Sequence, residues 1–435
     1  LANAGGINRV VSNCIVLHIE DTMESIFQTL HDAALLQKAG SGLGFPLHLM
    51  RPAGSLTKAS LGSSSGPCSF LHVYNTAFGV VKQQSRNGAN MAVMSVKHPD
   101  ILEFIHIKQK EGTLSNFNVS VGLTDEFMSQ VAENSQDVWK CSFDGQEYLP
   151  RRIKRDNNFN ILEVEEVRMT ATEIFEEIVD CAWHTGEPGC VFLDTVNSVN
   201  PIPGLGRLEA CNPCGEQFLH DGDVCNLGSL NLEKFVKNGT IDYPRLRAVT
   251  KLAVQMLDNV IDVTDFPVER VSTTIRRNRR VGLGIMGFAD MLYLLKRGYH
   301  TTLGRQTAEE VMACIQQAAH EASSELAAIK GSFPNYDLSI YPEKSMPMRN
   351  AALTNIAPTG TTSMMFDVSG GVEPYFALAY HYRNILGGKT QLTYVNKHLQ
   401  RALEEAGLFS PSLMDEIIKV GSLQSIASIP SHIKE

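Results

Sequence analysis

Three stretches that lie far apart in this sequence carry residues suited to thiol chemistry. They are Cys14, the run Asn212-Pro213-Cys214-Gly215-Glu216, and Cys225. In an extended loop the two-residue spacing lets Asn212, Cys214 and Glu216 point the same way, so together they could hold one ribose. A cysteine thiyl radical can take hydrogen from a sugar carbon, and a carboxylate can accept the proton of the adjacent hydroxyl. Two further thiols that close to a disulfide supply two electrons. The pattern favours radical chemistry followed by reduction.

The order of motifs along the chain resembles the catalytic subunit of ribonucleotide reductases, closest to the class that uses adenosylcobalamin. The matching stretches are residues 14–17 with 20–21, 88–91, 116–120, 212–216, 282–290 and 357–361. Several motifs in one order are far more specific than any one of them. The resemblance implies a ten-stranded α/β barrel of the ribonucleotide reductase and glycyl-radical type, either complete or without its last strand in this chain. We expect residues 1–435 to form a single catalytic domain.

The same resemblance implies a role for each residue of the constellation. Cys214 matches the transient thiyl site, Glu216 the general base, and Asn212 an anchoring or proton-accepting partner at the ribose hydroxyls. Cys14 and Cys225 match the family's redox pair, which is oxidised to a disulfide. The implied reaction converts ribonucleoside di- or triphosphates to 2′-deoxyribonucleotides for DNA synthesis.

A turn near residue 360 is a candidate for holding the substrate phosphates. As a string alone it is typical of an ordinary Pro/Gly/Thr turn, but free backbone N–H groups before a helix also bind phosphate. The resemblance implies phosphate binding by Pro358, Thr359, Gly360, Thr361 and Thr362.

The resemblance also implies further substrate contacts, where glycine allows close approach of the backbone. They are Asn13, Gly40, Pro213 and Gly215.

Two residues match the site where the family binds a nucleotide that controls substrate choice. Asp21 would bond an effector ribose, and Arg51 would bind its phosphates. The alternative for Asp21 is a charge at a helix N-terminus, and for Arg51 a surface cation. A Gly/Ser-rich loop at 61–67 would link effector to substrate. The family places this site at a subunit interface, which implies a homodimer with deoxynucleoside triphosphate effectors. We expect no N-terminal ATP cone and no C-terminal cysteine tail within these residues.

Two other interpretations stay open from the residues. Cys211 and Cys214, with His220 and Cys225, also resemble a structural zinc site or a dithiol motif, although Cys225 stands alone in an apolar strand-like context. With the other motifs included, we predict no metal site. A glycyl-radical lyase on a similar barrel would not need Cys14 and Cys225.

Composition limits the functional classes. The 435 residues are 43% apolar, enough for a large core, and a net charge of −9 gives no basic footprint for nucleic acid. Nine cysteines in a long chain are typical of a reducing compartment, so we expect a cytoplasmic protein. No apolar run reaches the ~20 residues of a membrane span.

The radical must come from outside the chain, because no iron–sulfur or dimetal ligand set is visible. The motif spellings favour adenosylcobalamin over a separate small radical-generating dimetal subunit, and both remain open. An external dithiol, of the thioredoxin type, would reduce the disulfide.

Alternating short apolar runs and amphipathic segments predict the elements that carry these residues. The predicted strands are 14–19, 92–96, 116–123, the neighbourhood of Ile285, and 353–356. The predicted helices are 22–37, 124–132, 170–183, 243–263, 307–328 and 392–406. Thr170 and Glu173 predict a capping box. Residues 137–164 predict a surface hairpin or insertion, and residues 40–44 a loop.

Overall fold

A mixed β-sheet carries the candidate residues. The computed structural model describes residues 10–56, 62–83, 86–385 and 390–434. Seven strands form the sheet: β1 Cys14–Val16, β2 Gly42–Pro46, β3 Asn90–Ser95, β4 Phe117–Leu123, β5 Gly189–Phe192, β6 Val224–Asn231 and β7 Val281–Met286. Their order is β5-β4-β3-β2-β1-β6-β7. Strands β1 to β5 run parallel to one another, whereas β6 is antiparallel to β1.

Continuous burial explains why these segments form strands. Every residue of β1, β3 and β7 is buried, which is typical of a parallel sheet covered on both faces. The predicted strands near 14, 92, 116 and 285 are confirmed at their cores.

Helices alternate with the strands along the chain. Their bounds are α1 Met23–Lys38, α2 Pro67–Val80, α3 Ile101–Ile105, α4 Asp125–Ala132, α5 Ala171–Thr185, α6 Leu193–Ser198, α7 Tyr243–Val263, α8 Glu269–Asn278, α9 Phe288–Leu295, α10 Thr302–Lys330, α11 Gly360–Phe366, α12 Lys397–Glu405, α13 Pro411–Val420 and α14 Ser431–Lys434. The predicted capping box is confirmed, because Thr170 and Glu173 each bond the other's backbone N–H at the start of α5.

Six two-stranded ribbons lie outside the seven-stranded sheet in the described part of the chain. They pair Lys82–Gln83 with Arg86–Asn87, Cys141–Phe143 with Gln146–Tyr148, Arg151–Arg155 with Ile161–Glu166, Ala210–Cys211 with Phe218–Leu219, Val236–Lys237 with Thr240–Ile241, and Ala379–Ile385 with Thr390–Val395. The hairpin predicted for residues 137–164 is confirmed as two successive ribbons.

Three predicted elements are wrong. Residues 353–356 hold only one bridge residue, Thr354, because a short apolar run fits a strand or a loop equally well. Residues 42–44 begin strand β2 rather than lying in a loop. The segment 392–406 is part strand and part helix, since Asn396 caps α12 by accepting from the backbone N–H of His398 and Leu399.

The chain divides into two compact units. The first consists of residues 1–227, 253–282 and 320–355, and the second of 228–252, 283–319 and 356–435. In the second unit, α12 and α13 bury an apolar cluster that includes Leu403, Met414 and Ile417. The single catalytic domain stays a prediction. Among the described residues, no helix is both long and apolar enough to cross a membrane.

Glycine in β2 allows a ribbon to pack on the sheet. A Cβ at Gly44 would lie 1.9 Å from the backbone oxygen of Cys211, and one at Gly42 would lie 3.0 Å from Cγ of Pro213. The ribbon that carries Cys211 therefore rests against β2 only because these positions lack side chains.

We predict that Gly44→Ala lowers the free energy of unfolding by about 1–3 kcal/mol, because backbone must move to admit the methyl group. Gly79→Ala in helix α2 is the matched control, since its Cβ makes only an ordinary contact at 3.5 Å. It should be neutral or stabilising. Chemical denaturation measures both, and equal stability of the two variants would contradict this packing.

Candidate active site

Two of the predicted thiols face each other across neighbouring strands. Cys14 in β1 and Cys225 in β6 are direct Cα partners of the antiparallel pair. Directly opposite residues have Cβ atoms about 4.5–5.5 Å apart, and a disulfide tolerates Cα separations of about 4.4–6.8 Å. Cys14 is 9% exposed and Cys225 is fully buried. The two thiols are therefore placed to join with little movement of the backbone.

The third thiol lies on a tight turn. The backbone N–H of Asn212 donates to the carbonyl of Gln217 at 3.0 Å, and that of Gly215 donates to the carbonyl of Asn212 at 3.0 Å. Gly215 has φ of 82°, a conformation that favours glycine. These constraints present Cys214 at the surface, where it is exposed.

The amide and the carboxylate of the turn converge on Cys14. Asn212 Nδ2 donates to Glu216 Oε2 at 2.7 Å and to Cys14 Sγ at 3.4 Å. The Cys14 thiol lies 3.8 Å from Glu216 Oε1, to which it donates. The structure thus brings together Cys14, Asn212 and Glu216 as the sequence predicted, with Cys225 beside them.

The surroundings keep these thiols protonated. Burial raises the pKa of Cys14, and the Glu216 carboxylate and Cys214 add to the effect. Burial also raises the pKa of Cys225, with a smaller contribution from Cys14. For Cys214, burial and then Glu216 raise the pKa. At neutral pH all three sulfurs carry hydrogen, the form that hydrogen-atom transfer requires.

Asn118 is a site residue that sequence reasoning did not single out. It lies in β4, and its Nδ2 donates to the carbonyl of Pro213 at 3.0 Å, which fixes the turn to the sheet. Asn118 could have been found from the sequence as the polar residue between two apolar ones, Phe117 and Val119, inside the matching stretch 116–120.

The residues of the zinc alternative have other partners. His220 Nε2 lies 3.1 Å from the carbonyl of Gly206, and its Nδ1 lies 3.0 Å from Arg280 Nη2. Both ring nitrogens are thus engaged. Cys211 is buried in the apolar cluster around Cys14, where burial raises its pKa to about 12.

One group of potential metal ligands among the described residues lies close enough to share an ion. It consists of Glu233, Asp290 and His398. Its members already form ion pairs. His398 Nε2 lies 3.0 Å from Asp290 Oδ1, and Lys397 Nζ lies 2.8 Å from Glu233 Oε1.

The predicted phosphate turn lies in the second unit. Thr359 has φ of 53° and precedes α11, and its Oγ1 accepts from the backbone N–H of Gly371 at 2.9 Å. Pro358, Thr361 and Thr362 are exposed.

The other predicted binding residues lie in the first unit. Gly40 has φ of 105°, and the carbonyl of the exposed Asn13 accepts from the N–H of Gly42 at 2.7 Å. Asp21 and Arg51 pair with each other, with Arg51 Nε donating to Asp21 Oδ2 at 2.7 Å. Residues 57–61, which include the start of the predicted effector loop, lie outside the described residues.

Comparison with known proteins matches this chain to one family. The family described as "Ribonucleotide reductase, barrel domain" matches residues 12–347 and 343–435. A vitamin B12-dependent ribonucleoside-diphosphate reductase of Thermoplasma acidophilum is 39% identical over 98% of this chain and 53% of its own length. One of Mycobacterium tuberculosis is 40% identical over 100% of this chain and 59% of its own length. The chain thus spans little more than half the length of these relatives.

A solved structure shares the fold. The alpha subunit of the class Id ribonucleotide reductase of Actinobacillus ureae superposes with a TM-score of 0.77 at 22% identity, over 99% of this chain and 73% of that one. This likeness and the family match confirm the predicted α/β barrel class, of which seven sheet strands lie among the described residues.

We predict that iodoacetamide at pH 8 labels the exposed Cys214 and Cys190 of the folded chain before the buried Cys14, Cys211 and Cys225. Since only the thiolate reacts and burial raises the pKa of Cys214, its labelling rate should still increase with pH at pH 9. Peptide mass spectrometry measures both. A plateau below pH 9, or earlier labelling of Cys225, would contradict the described site.

Proposed function

The chain belongs to the ribonucleotide reductase barrel family, and from that premise we propose that it reduces ribonucleoside diphosphates to 2′-deoxyribonucleoside diphosphates. The observation that carries the proposal is the direct pairing of Cys14 with Cys225, beside an amide and a carboxylate that both contact Cys14. The diphosphate form is taken from the names of the relatives in Thermoplasma acidophilum and Mycobacterium tuberculosis.

Each residue has one step in this proposal. The Cys214 thiyl radical takes a hydrogen atom from a ribose carbon, and the Glu216 carboxylate takes the proton of the hydroxyl on that carbon. The neighbouring 2′-hydroxyl then leaves as water, with a proton from one of the two paired thiols. Asn212 holds Glu216 in place and shares a hydrogen bond with Cys14.

The paired thiols complete the reduction. Cys14 and Cys225 together give two electrons and two hydrogens and become a disulfide, so that substrate and two thiols yield deoxynucleotide, water and one disulfide. Cys214 finally returns its hydrogen atom to the sugar and is a radical again. An external dithiol of the thioredoxin type then regenerates the two thiols.

Adenosylcobalamin is the proposed radical source, in preference to a dimetal subunit. Relatives that match the whole chain are named vitamin B12-dependent. The residues fit a large group, because Cys214 is exposed and a Cβ at Gly215 would meet no atom within 4 Å. When bound, the cofactor supplies the one-electron oxidant that converts the Cys214 thiol to a thiyl radical.

The remaining binding roles are part of the same proposal. Thr359, Thr361 and Thr362 bind the diphosphate, and Asp21 with Arg51 bind a deoxynucleoside triphosphate effector in a homodimer. These two side chains form an ion pair with each other and are both partly exposed. A cytoplasmic, reducing location is supported by nine cysteines that all remain thiols.

We predict that the chain forms dCDP from CDP and dithiothreitol only when adenosylcobalamin is added. Cys214→Ser should abolish the reaction, because serine cannot form the required radical. Cys14→Ser and Cys225→Ser should lose multiple turnover, because one thiol cannot form the disulfide. Chromatography of the deoxynucleotide measures all three.

Cys190→Ser, at another exposed cysteine, is the control and should keep the parent rate within about twofold. Normal multiple turnover by Cys225→Ser would rule out its role. Product formation without the cobalamin would rule out the proposed radical source.

A further inference from the structure

The buried sulfur of Cys225 packs against Gly282 on the next strand, β7. A Cβ at Gly282 in β7 would lie 2.9 Å from Cys225 Sγ and 3.0 Å from Cγ of Asn355. The thiol and the Asn355 amide therefore both pack over Gly282, too closely to admit a side chain at position 282.

The Asn355 amide lacks a hydrogen-bond partner among the residues that the structure describes. Both its Oδ1 and its Nδ2 are buried and unpaired, and in the described part of the chain no other residue has both side-chain polar atoms in that state. A buried amide without a partner is destabilising, so its presence calls for an explanation. Replacing it with an apolar group would serve stability better.

Reduction of the proposed disulfide releases a thiolate at Cys225, which a hydrogen-bond donor beside it would stabilise. An external thiolate reaches Cys14 more readily than Cys225, because Cys14 is 9% exposed and Cys225 is fully buried. Attack on the Cys14 sulfur makes Cys225 the leaving thiolate, and a less stable leaving thiolate departs more slowly. Burial makes a thiolate at Cys225 unfavourable.

A positively charged group, Arg280, already acts on this sulfur. Arg280 is buried and held by Asp223 through Nε and by His220 through Nη2. Its charge favours the Cys225 thiolate, although the Asp223 carboxylate opposes it. Arg280 Nε and Nη2 are committed to these two partners, whereas the Asn355 amide beside Gly282 still has its N–H groups unpaired.

We propose that the Asn355 amide donates a hydrogen bond to Cys225 Sγ as that sulfur leaves as a thiolate, which makes Asn355 a positioning residue for regeneration of the disulfide. The inference rests on the proposed redox pair. The reductant thiolate bonds to Cys14 Sγ, the Cys14–Cys225 bond breaks, and its electron pair stays on Cys225. The second reductant thiol then displaces Cys14, and both cysteines take up protons.

The test uses the full chain, oxidised with diamide and reduced with dithiothreitol, with the Cys14–Cys225 disulfide followed by alkylation and mass spectrometry. Asn355→Leu should slow the second-order reduction about tenfold, equivalent to about 1.4 kcal/mol in the barrier. Its melting temperature should stay equal or rise, because an unpaired buried amide has been removed. Asn355→Ala should show the same slowing without added bulk.

Asn200→Leu is the matched control, since its buried amide donates to the carbonyl of Gly206 and accepts from the N–H of Ile202. It should melt at a lower temperature and keep the parent rate of reduction. A parent rate in both Asn355 variants would overturn the inference, whatever their stability. Failure of diamide to form the disulfide would overturn the redox pair itself. Because no nucleotide is present, a chain inactive on CDP could still show the Asn355 effect.

Discussion

The antiparallel pairing of β1 with β6 is the constraint on which the rest of the site depends. Side chains alternate along a strand, so a shift of one residue would turn Cys225 to the opposite face from Cys14. Contacts on both sides of the pair fix this register. Ser12 Oγ donates to Asn226 Oδ1 at 2.6 Å, and the backbone N–H of Gly222 donates to the carbonyl of Val16 at 2.9 Å. The two-electron chemistry proposed here requires this alignment.

The three sulfurs of the site lie in two different environments: Cys14 and Cys225 are buried, and Cys214 is exposed. The proposed redox pair lies buried in the sheet, where burial raises the pKa of both thiols, whereas Cys214 lies exposed on a turn that an external radical source could reach. Glu216 and Asn212 connect the two environments, because both lie on the turn and both contact Cys14. This arrangement requires glycine at two sheet positions, because a side chain at Gly44 would clash with Cys211 and one at Gly282 with Cys225.

Much of the site could be predicted from the sequence, because the chemistry needs particular residue types. Cys14, Asn212 and Glu216 converge as expected, and the continuous apolar runs gave most sheet strands. Packing residues could not be found in that way. The role of Gly44 is visible only once the Cys211 ribbon lies on β2, and that of Asn355 only once it packs with Cys225 over Gly282. Residues 40–44 were predicted as a loop because glycine usually weakens a strand, whereas here it permits close packing.

Disulfide mapping after a single turnover tests the central claim most directly. The full chain would be mixed with CDP and adenosylcobalamin without any external dithiol, then alkylated and digested. The account predicts one Cys14–Cys225 disulfide for each deoxynucleotide formed, with Cys211 and Cys214 recovered as alkylated thiols. Deoxynucleotide formed together with a Cys211–Cys214 disulfide, or with Cys14 and Cys225 still alkylated, would contradict it.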